Sequence, residues 1–171
     1  MPVLICLSGL LGVGKTTIAR QLARKMGALW LWLDEVETAM KASQMQVVDD
    51  LADGGYAALR AVAKGALRQG FDVIADNVNP IELTRTPWRA VSQEVAASHI
   101  DVELICSDPD THRYRVENRK VALPGWVGPD WQSVQAREYD PMPQPDLRID
   151  TALTSVDESF ARIYALIKTE N

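Results

Sequence analysis

The chain has 171 residues, of which 47% are hydrophobic and 24% charged, with a formal net charge of −5. That length fits one domain, or one domain with a modest insertion, and the apolar share is ample for a single core. The acidic balance, with Lys and Arg spread along the chain rather than striped, argues against an extended nucleic-acid surface.

Val3-Leu4-Ile5-Cys6-Leu7 is a short apolar run with β-branched residues, the pattern of a buried parallel strand. No basic segment precedes it and it feeds straight into a glycine motif, so no signal peptide is expected. Residues Gly9 to Thr17 then read G-L-L-G-V-G-K-T-T, which satisfies G-x-x-x-x-G-K-[ST] at Gly9, Gly14, Lys15 and Thr16. From Lys15 onward Ile18, Leu22 and Met26 recur at helical spacing. Strand, glycine turn and helix are the context that a phosphate-binding loop requires. Glycines at 9, 12 and 14 allow a close backbone approach to phosphate, and the helix N-terminus adds its N–H groups to an anion cradle. The expected nucleotide contacts are Gly9, Gly12, Val13, Gly14, Lys15, Thr16 and Thr17. Lys15 would bring its charge to the β- and γ-phosphates of ATP, and the Thr16 hydroxyl would ligate Mg²⁺.

A second strand is expected over Leu29 to Leu33, ending abruptly at Asp34 and Glu35, with helices over roughly 35–42 and 46–69 and a stop at Gly70. Phe71 to Ala75 reads as a third strand ending at Asp76. Asn79 looks like an N-cap with Pro80 at the first helical position, for a helix running to about Ala97. Ile100 to Cys106 alternates imperfectly as a fourth strand. Ser107 or Asp108, followed by Pro109, opens a helix carrying His112 to Lys120. Pro124, Pro129, Pro141, Pro143 and Pro145, with Gly125 and Gly128, make 121–146 the most irregular stretch, interrupted by a helix near 130–139. Leu147 to Ile149 is a last short strand, and Ser155-x-x-Glu158 is a capping box opening the terminal helix.

Strands alternating with helices imply a parallel sheet covered on both faces, with ligands beyond the carboxyl ends of its strands. Gly9, Asp34, Asp76, Ser107 and Asp150 stand at those ends. Cys6 and Cys106 show no paired spacing and suggest a reducing, cytoplasmic setting rather than a disulfide or zinc site. The longest apolar stretch, Ala28 to Leu33, is far too short to span a membrane. His99 and His112 lack partners at metal-ligand spacing and read as ordinary. Trp30 and Trp32 share a strand face and read as core, as do Met40, Met45 and Tyr56, whereas Trp126 and Trp131 fall in the irregular segment.

In layout the whole chain resembles the small P-loop kinases: chloramphenicol phosphotransferase, gluconate kinase, zeta-type toxins and polynucleotide 5′-hydroxyl kinase. The likeness is specific in the P-loop, suggestive at Asp34 and at Asp76-Asn77-Val78-Asn79, and loose in an arginine-bearing lid. It implies a three-layer α/β/α fold with a five-stranded parallel sheet of order 2-3-1-4-5, as one domain over 1–171 with a lid at about 109–145. It further implies that Asp34 is the acceptor's general base and that Asp76, beside the P-loop, serves Mg²⁺ or the acceptor. Arg115 and Arg119, four apart on one helix, would be lid arginines that offset developing charge, with Lys120 and Arg137 as weaker candidates. Asn77 and Arg85 would contact the acceptor.

The function expected is transfer of the γ-phosphoryl group of ATP to a hydroxyl of a small molecule. A kinase of polynucleotide 5′ ends and a regulatory ATPase without a small-molecule acceptor are the alternatives. No membrane partner is expected, and the oligomeric state is open.

Overall fold

The computed structural model describes residues 1–44 and 51–170. Met45 and the start of the helix expected from residue 46 lie outside the described residues. The elements in chain order are β1 (Val3–Ser8), α1 (Lys15–Met26), β2 (Leu29–Trp32), α2 (Leu33–Lys41), α3 (Gly54–Arg68), β3 (Val73–Asp76), α4 (Glu82–Glu94), β4 (Ser98–Ile105), α5 (Pro109–Glu117), α6 (Trp131–Ala136), β5 (Leu147–Asp150) and α7 (Val156–Glu170).

All five strands pair in parallel in the order β2-β3-β1-β4-β5, as the resemblance implies. The side-chain alternation of β1 builds a core on each face. Val3, Ile5 and Leu7 pack with Ile18 and Leu22 of α1 and with Ile163 and Ile167 of α7. Leu4 and Cys6 face the other way, against Leu59 and Ala63 of α3 and Trp88 of α4. A central strand buried on both faces reads as an unbroken apolar run, and β1 does.

The imperfect alternation of β4 has a structural cause. Ile100, Val102 and Leu104 enter the α1/α7 core. On its other face Asp101 and Glu103 are buried and charged. Glu103 accepts from the Tyr139 hydroxyl (2.9 Å), the Met142 N–H (2.8 Å) and Arg148 Nε (2.5 Å). The Asp101 N–H donates to Asp146 Oδ2 at 2.7 Å. The return segment 139–148 is thus tied down by polar side chains on a strand.

Four boundaries differ from the sequence-based expectation. The strand before Asp34 stops at Trp32, and Asp34 lies in the first turn of α2. Asn79 does not cap α4; it sits buried at φ 46°, bonded through Nδ2 to Ser8 Oγ, and the helix starts three residues later. The helix α4 also ends at Glu94 rather than near Ala97. Helix α5 ends at Glu117, so Arg119 follows it instead of sharing its face with Arg115. Among the described residues no helix is long and apolar enough to cross a membrane.

Candidate active site

The loop between β1 and α1 gives each glycine a different task. A Cβ on Gly9 would lie 2.2 Å from the Leu104 carbonyl oxygen, so this glycine lets the loop cross β4, and it does not line the cavity as expected. A Cβ on Gly12 would meet Val116 and His112 of α5. Gly14 alone faces open space, at φ 100°, where the left-handed backbone turns the first N–H groups of α1 outward. Lys15 is buried, its Nζ donating to the Gly9 carbonyl (2.6 Å) and the Leu10 carbonyl (2.9 Å). Burial lowers its pKa to about 8, against the opposing pull of Asp76 and Asp34.

Asp76 closes β3 directly beside the loop because β3 pairs with β1, with Leu7 opposite Asp76. Its buried carboxylate accepts a hydrogen bond from Trp30 Nε1 at 3.3 Å. Burial pushes the carboxyl above its ordinary range, while Lys15, the Thr16 hydroxyl and Trp30 pull the other way. Trp30 is therefore more than packing: it stacks on Trp32 (centroids 5.6 Å apart) and orients a carboxylate of the neighbouring strand.

A cavity of about 530 Å³ opens over this group, lined by Gly12 through Thr17, Trp32, Asp34, Asp76, Asn77, Arg115 and Arg119. Asp34 occupies the N-terminal turn of α2, where the helix dipole favours a carboxylate. Across the opening, Arg119 Nη2 stands 3.6 Å from Asp34 Oδ2, and its guanidinium lies 4.8 Å over the Trp126 ring. Both side chains are largely buried, and the separation is longer than a charge-assisted hydrogen bond, so the pair is an open contact that a ligand can enter. Asn77 is buried, and neither its Nδ2 nor its Oδ1 has a hydrogen-bond partner. A buried amide left open on both atoms, at the wall of a cavity, is equipped to meet a ligand with a donor and an acceptor.

Arg115 also lines the cavity, held by the hydroxyl (2.9 Å) and carbonyl (3.0 Å) of Thr151. Arg85 is a correction. It is buried under the return segment, with Nε donating to the Asn79 carbonyl at 2.8 Å and Nη2 donating to the carbonyls of Pro80 (3.0 Å) and Asp140. Held to backbone through Nε and Nη2, it is not among the residues that line the cavity. Asp150 is spent too, accepting from the N–H groups of Ser107 and Ala152.

Two groups of residues escape sequence reasoning. Thr151, Thr154, Ser155 and Ser159 line the far side of the cavity, at the turn into α7. His112 ties α5 to the P-loop, with Nε2 2.6 Å from the Leu11 carbonyl oxygen and its ring edge-on to Trp131. Only the general rule about strand ends pointed to the first group, and nothing in the spacing of His112 pointed to its partner.

A family profile described as an AAA domain matches residues 4–124, which include the phosphate loop, Asp34, Asp76 and the arginines of α5 and its end. The chain belongs to the AAA-domain family. No curated protein sequence matches it. Solved structures share the fold of this AAA-domain chain over nearly its whole length. The APS kinase CysC of Mycobacterium tuberculosis, in complex with AMPPNP and APS, is 19% identical, with 98% of each chain covered and a TM-score of 0.71. A gluconokinase from Sinorhizobium meliloti is 19% identical, with 98% and 95% covered and a TM-score of 0.65. Kti12 of Chaetomium thermophilum, in complex with ADP-AlF3, is 18% identical, with 95% and 97% covered and a TM-score of 0.70. The fold is that of the P-loop kinases, as the sequence motifs imply.

Proposed function

We propose that this protein is an ATP-dependent phosphotransferase that moves a γ-phosphoryl group to a hydroxyl of a small molecule. One observation carries the reading: a single cavity has a phosphate cradle on one wall and, on the others, a carboxylate, Asp34, that faces Arg119 across the opening, and an amide open on both atoms, Asn77. A switch that only holds nucleotide has no use for the second set.

The residues of the cradle fit Mg²⁺, since the Thr16 hydroxyl and the Asp76 carboxylate are hard oxygen donors lining the same cavity. When bound with ATP, the ion would neutralise phosphate charge. Lys15 exchanges its loop carbonyls for phosphate oxygens, Arg115 offsets charge on the transferring group from its fixed place on α5, and Arg119 closes over it from the segment that follows. Asn77 orients the acceptor, and Asp34 takes the proton of the attacking hydroxyl.

The test is ADP release by the purified protein with Mg·ATP, in a screen of sugars, nucleosides, aminoglycosides and polynucleotide 5′ ends. Acceptor-dependent turnover that Lys15→Ala abolishes supports the assignment. Slow hydrolysis indifferent to every acceptor would favour a regulatory ATPase. Turnover with polynucleotide ends alone would move the acceptor to nucleic acid.

A further inference from the structure

On the other side of α4 from solvent, away from the ATP cavity, three side chains with metal-ligating atoms meet. Cys6 on β1 and Asp101 on β4 are register partners, and His99 lies two residues earlier on the same face of β4. One donor atom from each, Cys6 Sγ, a His99 ring nitrogen and an Asp101 carboxylate oxygen, all fall within 4.8 Å of one another. We propose that Cys6, His99 and Asp101 bind a zinc-type divalent cation.

The hydrogen bonds around the imidazole support this. Ser92 Oγ lies 2.6 Å from His99 Nδ1 and donates its one proton to the Trp88 carbonyl (3.2 Å). With that proton directed to the carbonyl, Nδ1–H donates to Ser92 and the lone pair of the neutral ring is on Nε2; the opposite tautomer turns Nε2–H toward Asp101. Nε2 is buried and has no hydrogen-bond partner. It stands 3.1 Å from Asp101 Oδ1, so a cation would enter between two donor atoms that already face each other. A metal-ligating histidine ordinarily has this arrangement, with its second nitrogen fixed by an outer partner and its lone pair unspent.

The ligands suit zinc. Thiolate, imidazole and carboxylate together are a borderline-soft set that Zn²⁺ accepts and Mg²⁺ does not. Bond lengths near 2.0–2.3 Å bring donors of a tetrahedral site to about 3.3–3.7 Å apart, so closure needs a contraction on the order of 1 Å. The charges balance. Binding releases the Cys6 thiol proton to solvent, leaving one thiolate and one carboxylate against the 2+ ion. The nearby Arg89, which donates to Asp101 Oδ2 at 2.9 Å, is itself paired with Glu82 at 2.5 Å. A cleft of about 470 Å³, lined by His99, Asp101, Gln144 and Asp146 among others, gives access and room for water as fourth ligand.

Chelator-stripped full-length protein is dialysed against buffered micromolar Zn²⁺, and Co²⁺ is titrated as a spectroscopic stand-in. One equivalent of zinc is expected, with a thiolate-to-cobalt charge-transfer band that persists in Cys106→Ser. His99→Gln and Asp101→Asn should each weaken binding at least about 100-fold, and Ser92→Ala, which frees the outer nitrogen, about tenfold. Mg·ATP binding by each variant reports that it folds. A wild-type protein that retains no stoichiometric zinc, a cobalt complex without the thiolate band, or equal zinc binding by His99→Gln would each overturn the assignment. The wild-type spectrum decides even where a variant fails to fold.

Discussion

Lys15 is a buried cation held, in the free protein, by two carbonyls of its own loop, and this makes its behaviour measurable. Removing it in Lys15→Ala takes a charge from the transferring phosphate and should lower turnover on the order of 10²–10³-fold, read by steady-state kinetics on a folded variant. Its pKa of about 8 lies below the ordinary 10.5, so between those values the unfolded chain holds a proton that the folded chain has released. The nucleotide-free fold therefore gains stability as pH rises across that window. Nucleotide binding responds the opposite way, because phosphate favours the charged ammonium. The Kd for Mg·ATP should rise above about pH 8, toward tenfold per unit, with proton uptake on binding. Calorimetry from about pH 7 to about pH 9.5 in buffers of different ionisation heat reads both, and a flat Kd would separate Lys15 from the phosphates. Asp34 is tested by Asp34→Asn, which keeps the size and removes the base. Acceptor phosphorylation should fall by roughly two to four orders of magnitude while Mg·ATP affinity is kept. Near-normal transfer would shift the search for a base to Asp76.

At the scale of elements, α5 and α6 are not free flaps. His112 fastens α5 to the Leu11 carbonyl, and Trp131 at the start of α6 rests on the same ring. We propose that the part that closes over phosphates is the segment 118–130 between them, which carries Arg119 and Trp126. Hydrogen exchange with and without a non-hydrolysable ATP analogue should show protection rising most over 118–130 and little over 109–117. Equal exchange in both states would mark a static surface. The same elements mark how far the sequence could be read. The P-loop was legible because its glycines and Lys15 sit at fixed offsets between an apolar strand and an amphipathic helix, and the sheet order followed from the resemblance these carry. Arg85 was misread because burial by the return segment 139–148, distant in sequence, took its donors. Asn79 carried a capping signature, but bonding to Ser8 of the neighbouring strand outweighed the local preference. His112 and Trp30 act through partners 101 and 46 residues away, which no short-range pattern encodes.

For the molecule as a whole, the buried polar face of β4 joins the end of the lid to the sheet. Glu103 has three partners from 139–148, so Glu103→Ala takes the shared acceptor from the Tyr139 hydroxyl, the buried Met142 N–H and the half-exposed Arg148, and should destabilise the protein by about 1–3 kcal/mol in denaturant melts. Because those partners lie away from the P-loop, Mg·ATP affinity of the folded variant should stay near that of the parent; a large loss would mean that the segment shapes the cradle. The strand order has another consequence, set by the direction of synthesis. β1 leaves the ribosome before both of its neighbours: Leu4 pairs with Val73 and Val3 with Ser98. At about 5–20 residues per second its partners arrive roughly 3 to 20 s later. Until then Gly9 has neither the Val78 carbonyl to bond nor the Leu104 carbonyl to pack against. The cradle is absent for as long as the strand that bears it is naked, so ATP cannot rescue the nascent chain, and the protection of Val3 to Leu7 in that interval falls to the ribosome surface or to other proteins.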